Sequence, residues 1–194
     1  MNAMDWTREP DLDQLRQAYG MLATEPARAL VELKALAARG SVVSMLYIAD
    51  AYRKGRGTAV EIYEAKDWYT RAMQSGSVTG CYELGRIYYE QRNYSKAEEA
   101  FRQGESKNHA PSIHMLGLMH LKGIGVEKNR DKARELFEKA SSLGHVFAKR
   151  NLAILLMTGR YGASQFVRGL TLFVTGIKHL LAVVVSDRYD ERLR

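Results

Sequence analysis

The sequence predicts an all-α fold, a solenoid of stacked helix pairs, and three observations lead there. The first is a repeated spacing. Gly40, Gly76, Asn108 and Gly144 stand 36, 32 and 36 residues apart (76 − 40, 108 − 76, 144 − 108). Self-similarity at a period of roughly 20–50 residues marks units too small to bury their own apolar face, which must stack on neighbours. The second is that other landmarks keep step. Ser44, Gly80, Ser112 and Ala148 start the segments, and Tyr52, Tyr88, His120 and Leu156 each follow 8 residues later. The third is composition: 46% hydrophobic residues supply a core, and only 3 prolines in 194 residues suit helices.

Taken in order, residues 1–40 read as an N-terminal helical cap, a partial unit with Ala29, Leu33, Leu36 and Gly40 but no internal loop. Residues 41–164 read as the tandem array. In its first full unit, Leu46, Ile48, Ala49 and Tyr52 recur at helical spacing. The run breaks at Lys54-Gly55-Arg56-Gly57, a turn, and a second helix carries Ala65, Trp68, Tyr69, Ala72 and Met73 to Gly76. The next unit is four residues shorter, because Gln91-Arg92-Asn93 replaces the glycine-bearing loop. The third has Leu116-Gly117, His120, Gly123-Ile124-Gly125-Val126, Ala133, Phe137 and Ala140 before Gly144. The fourth is degenerate: it keeps Gly159, has Tyr161 in place of the second loop glycine, and has Gly169 where an alanine is expected. Small residues at one position of the first helices (Ala49, Gly85, Gly117, Ala153) are expected to let helix backbones approach, with Tyr69, Phe101 and Phe137 filling the space beside them.

These residues carry a resemblance. Ser112, Leu116-Gly117, His120, Gly123-Ile124-Gly125-Val126, Lys132-Ala133, Phe137-Glu138-Lys139-Ala140 and Gly144-His145 resemble a Sel-one-like repeat, and the first unit is similar. The second, with Leu84-Gly85, Tyr88, Tyr94, Ala97 and Ala100-Phe101, looks closer to a tetratricopeptide unit. The resemblance implies a right-handed α–α superhelix and the work of a protein–protein adaptor. It also implies that the first helix of each unit lines a concave groove. The groove candidates are then Leu46, Asp50, Arg53 and Lys54; Tyr82, Arg86, Tyr89 and Glu90; His114, Leu118, Leu121 and Lys122; and Arg150, Ile154 and Met157. Basic, aromatic and aliphatic side chains interleaved in this way would suit an extended or helical peptide with acidic and apolar residues. The alternative, ordinary solvated helix faces, stays open.

Chemistry-bearing constellations are absent from the pattern. The pairs Gly55/Gly57 and Gly123/Gly125 lie between helices and lack the strand and third glycine of a dinucleotide loop. His109, His114, His120, His145 and His179 show no zinc-binding spacing, and His120 stands where its neighbours have tyrosine, as a half-buried packing residue. Cys81, the single cysteine, reads as a buried thiol in a reducing compartment. Asp11/Asp13 and Glu98/Glu99 read as solvated charge. No catalytic residue, metal site or cofactor is expected, and the chain reads as non-enzymatic. The net charge of +7 favours acidic partners, but acids are interspersed with the bases, so nucleic acid is not favoured. Residues 1–10 have no apolar run, so no secretory signal is expected and the cytoplasm is the default.

Residues 165–194 read as a hydrophobic helix with a polar tail. Arg168, Thr171, Thr175 and Lys178 form a narrow polar stripe on an otherwise apolar circumference. The apolar face comprises Phe166, Leu170, Phe173, Ile177, Leu180, Leu181 and Val184. Three readings compete: a homodimer contact, since exposed apolar patches mark interaction sites; packing within the chain; and peripheral contact with the inner face of a membrane, aided by Arg188, Arg192 and Arg194. The last would make the protein an assembly component of, for example, envelope or polysaccharide biosynthesis, as the resemblance allows. The run is shorter than the ~20 residues of a spanning helix.

Overall fold

The computed structural model describes residues 9–158 and 160–191, with side chains described as far as residue 177. Ten helices and no strand are present among the described residues: α1 (Leu12–Met21), α2 (Pro26–Ala38), α3 (Val42–Lys54), α4 (Ile62–Gln74), α5 (Val78–Glu90), α6 (Tyr94–Ser106), α7 (Ala110–Lys122), α8 (Arg130–Ser142), α9 (Val146–Leu156) and α10 (Ala163–Glu191). They form two compact units, residues 1–107 and 108–194. Within each unit every helix packs on its sequence neighbours, which is the solenoid pattern.

The landmark residues end the second helices. Gly40, Gly76 and Gly144 have φ of +93°, +96° and +86°, the left-handed conformation that closes a helix without a Cβ penalty. Asn108 adopts the same hand at +55°, so the fourth landmark is equivalent in conformation as well as in spacing. The short loop after α5 turns on a non-glycine residue, Arg92, at +59°. Asn93 then caps α6 by accepting from the Lys96 amide at 3.4 Å.

Inside the pairs the large side chains Tyr69, Phe101 and Phe137 are fully buried. A Cβ on Gly85 would lie 2.6 Å from the Phe101 ring, and one on Gly117 would lie 2.6 Å from the Phe137 ring. The expectation that these glycines bring backbones together is corrected: they make room for an aromatic ring. Backbone approach occurs at Gly80 instead, where a Cβ would meet the Met73 nitrogen at 2.9 Å and the Tyr69 oxygen at 3.0 Å. Gly85 with Phe101 and Gly117 with Phe137 thus form matched pairs within their hairpins.

The start of α10 completes a fifth helix pair with α9. Gly169 is the hinge of that contact, since a Cβ there would meet the Ala153 carbonyl oxygen at 2.9 Å. Arg168 reaches Glu138 of α8 at 2.9 Å. One stripe of the C-terminal helix therefore packs within the chain, and the boundary expected at residue 165 falls inside a helix rather than between elements.

Candidate functional site

The candidate surface is the exposed side of the first helices, α3 and α5 in the first unit and α7 and α9 in the second. In the first unit the structure removes one candidate outright. Leu46 is buried against Ala49, Ala65, Tyr69 and Leu84, because its place in the helical stripe turns it into the core. The charged candidates are tied to one another. Asp50 accepts Lys54 at 2.8 Å and Arg53 and Arg56 at 3.7 Å each, and Arg53 also reaches Glu83 at 3.7 Å. Glu83 and Glu90 hold Arg86 at 3.4 and 3.5 Å. Arg53 and Glu83 are both four-fifths covered, so much of this network is shielded from water. Burial, followed by the Glu83 carboxylate, pushes the Tyr69 hydroxyl well up, and it stays protonated. Tyr82 lies beneath the Arg86 guanidinium at 5.8 Å, and Tyr89 meets Tyr94 edge-on at 5.4 Å.

In the second unit the candidates converge on one cleft of about 500 Å³. His114, Leu118, Leu121 and Lys122 line it from α7, and Arg150 and Ile154 from α9. All six are first-helix positions expected on the groove side, while Met157, also expected there, lies outside the lining. Sequence reading missed Phe147, Asn151 and Thr158, which together with Ile154 follow the helical spacing 4, 3, 4 and were legible on that ground. Arg130, also missed, enters from the first turn of α8, an element outside the first-helix rule.

The cleft is cationic over an apolar lining. Lys122, Arg130 and Arg150 line it, no carboxylate does, and none of the three is in an ion pair among the described residues. Arg150 lies over the Phe147 ring, its guanidinium carbon 5.4 Å from the ring centroid. At the base, His114 and His145 rings lie 4.6 Å apart, and Asn151 Nδ2 donates to His114 Nε2 at 2.9 Å. Burial, then the neighbouring His145 and Arg150 charges, pushes His114 down to about 4, so its ring is a neutral acceptor near pH 7.

Among the described residues no three His, Cys, Asp or Glu side chains are grouped to hold a metal ion. Cys81 is buried with its Sγ 3.3 Å from the Ser77 carbonyl. His120 is half-buried, its Nδ1 3.3 Å from the Glu127 carbonyl oxygen. No helix among the described residues is long and apolar enough to cross a membrane. On α10, Phe166, Leu170, Phe173 and Ile177 are exposed. The side chains of Leu180, Leu181 and Val184 lie outside the described residues, as do those of Lys178, His179, Arg188, Arg192 and Arg194.

Comparison with known proteins follows the helix pairs. The Sel1 repeat model matches residues 42–77 and 110–145, and the tetratricopeptide repeat model matches residues 78–108. Among curated proteins, the chain is similar to the ERAD-associated E3 ubiquitin-protein ligase component HRD3 of Candida glabrata, 31% identical over 75 residues. It is also similar to component HRD3B of Arabidopsis thaliana, 32% identical over 128 residues. These matches take in 39% and 63% of this chain but only 9% and 19% of those proteins. Among solved structures, a protective antigen of uropathogenic Escherichia coli with this repeat fold superposes with a TM-score of 0.76 at 23% identity, covering 86% of this chain and 38% of that one. A Sel1 repeat protein from Oxalobacter formigenes gives 0.73 at 22% identity, covering 87% of this chain and 69% of that one.

Proposed function

Because the chain is built from two Sel1 repeats with a tetratricopeptide repeat between them, we propose that it is a non-enzymatic protein-binding array. In this reading the second unit's cleft receives an acidic, apolar segment of another protein. Repeats of these kinds commonly hold other proteins, and the curated relatives include ligase-complex components. The observation that carries the proposal is the set of cations Lys122, Arg130 and Arg150, unpaired among the described residues, around Leu118, Leu121 and Ile154. A segment with leucine or phenylalanine between carboxylates would bury its apolar side chains in the cleft and pair its charges at the rim. In the first unit Arg53, Lys54 and Arg86 are instead paired with Asp50, Glu83 and Glu90.

The test is selection from a phage-displayed library of random peptides on the intact chain. Selected peptides should carry Asp or Glu beside Leu, Ile or Phe. Their affinity should fall roughly tenfold or more in Lys122→Glu with Arg150→Glu, at unchanged helicity. Peptides without acids, or affinity unchanged by the double substitution, would remove the cleft from consideration.

A further inference from the structure

We infer that the segment held in the second unit's cleft runs on across Arg130 into a second cleft, where it presents a further cluster of carboxylates. The inference rests on the peptide-binding reading above and extends it to a ligand of two chemically distinct parts. Arg130 is the joint. It lines the first cleft and, with Lys128, Asn129, Asp131 and Arg160, a neighbouring one of about 460 Å³. Through this shared side chain the two clefts form one track for an extended chain.

The halves of the track ask for different residues. Beside its cations the first cleft has Leu118, Leu121, Phe147 and Ile154. The second has no apolar side chain in its lining, and three cations there face one carboxylate, Asp131. None of Lys128, Arg130 and Arg160 is in an ion pair among the described residues. Asn129 is committed to its own helix, its Oδ1 accepting from the Lys132 amide at 2.8 Å. Glu127, the preceding loop acid, is not part of the lining. Apolar residues alternating with acids suit the first half, and a run of Asp or Glu without apolar residues suits the second.

The second half is built in advance. The Asn129 amide donates to the His120 carbonyl at 2.9 Å, and His120 Nδ1 lies 3.3 Å from the Glu127 carbonyl oxygen, so the loop is tied to the end of α7. A Cβ on Gly123 would lie 3.0 Å from the Lys128 Cβ, so the turn holds Lys128 close. Little ordering is left to be done when a ligand arrives. Nor does the packing frame call for this charge. The first unit has the same loop 68 residues earlier (123 − 55), where a Cβ on Gly55 would lie 3.0 Å from Val60 Cγ2. Val60, Glu61 and Ile62 stand there in place of Lys128, Asn129 and Arg130. One loop geometry thus accepts either set, and the cations of the second unit are available to a ligand.

The test titrates synthetic peptides onto the intact chain: a short peptide alternating Leu and Asp, and the same peptide with four glutamates or four glutamines added at either end. From one end, the glutamate extension should raise affinity about fivefold or more over the glutamine one at low ionic strength, and the gain should shrink as salt rises. Lys128→Glu with Arg160→Glu, both exposed positions, should abolish that gain and leave the unextended peptide bound as before. Lys122→Glu with Arg150→Glu should weaken every peptide. No gain from either end, or a gain that survives Lys128→Glu with Arg160→Glu, overturns the inference while leaving the first cleft as the binding site. An unextended peptide whose affinity ignores Lys122→Glu with Arg150→Glu overturns both readings. An oligothymidylate that binds more tightly than the extended peptide, and is lost with Lys128→Glu and Arg160→Glu, overturns the inference in favour of nucleic acid.

Discussion

The two units use one packing frame and finish it with different polar residues. In the first, the cations of α3, of the turn after it and of α5 are engaged: Arg53, Lys54, Arg56 and Arg86 all pair with Asp50, Glu83 or Glu90. In the second, Lys122, Arg130 and Arg150 face a cleft with no carboxylate in its lining. The difference extends to the helix starts. Residues 41, 77, 109 and 145 are the same repeat position, being 36, 32 and 36 residues apart (77 − 41, 109 − 77, 145 − 109). Ser41 and Ser77 hold it in the first unit and cap α3 and α5 through bonds of 3.1 Å from the Ser44 and Gly80 amides. His109 and His145 hold it in the second, and all five histidines of the chain lie after residue 108. The frame thus tolerates a change of polar decoration, from a face whose charges are paired to one whose cations are unpaired among the described residues.

The largest expected effect concerns what the units share. Gly85→Val and Gly117→Val each drive a side chain into a ring at 2.6 Å, and each should cost about 3 kcal/mol or more as read from urea unfolding. Near-equal losses would support a common frame. A loss confined to one unit would break the comparison at its base.

How far this was legible in the sequence depends on the kind of constraint. Periodicity fixes which residues face inward, so an order of nine to ten helices and the glycine ends were readable from Gly40, Gly76 and Gly144, whereas Gly85 and Gly117 were read as allowing backbones to approach rather than as making room for the Phe101 and Phe137 rings. Asn108 was readable only by its register. The charge networks were not readable, because Arg53 and Glu83 are 30 residues apart (83 − 53) and meet only once two helices are packed. For the same reason Arg130 was missed: it lies on a second helix and reaches the cleft from its first turn. Leu46 was placed in the groove although its own helical stripe assigns it to the core, an error of applying a family rule over local periodicity.

The middle-sized prediction separates the two faces by readout. Glu83→Gln deprives Arg53 of one of its two carboxylates at a four-fifths covered position. It should cost about 1–2 kcal/mol, discounted from a fully buried pair for residual exposure, and leave capture of a cleft-binding peptide intact. Arg150→Glu should do the reverse, with a stability change within about 0.5 kcal/mol and loss of the peptide. Equal stability losses in the two variants would mean that the second unit's cations are structural as well.

The smallest effect is graded with acidity and belongs to the second unit alone. His145 Nδ1 accepts from the Ala148 amide at 3.1 Å, which requires that nitrogen to be unprotonated, and burial holds the ring below its ordinary value. His109 and His114 are pushed down to about 4, burial being the leading cause in both. The unfolded chain takes up these protons near pH 6.5, while the folded chain resists until well below it. Stability contributed by the neutral rings is therefore complete above about 6.5 and drains away as pH falls toward 4. Amide exchange should show α7–α9 losing protection over that window ahead of α3–α5, whose serine caps do not titrate. His145→Ser, which installs the first unit's own cap, should shallow the loss in α9 while keeping the helix start closed. Parallel loss in both units, or an unchanged slope in His145→Ser, would show that the acid response arises from carboxylates common to both faces.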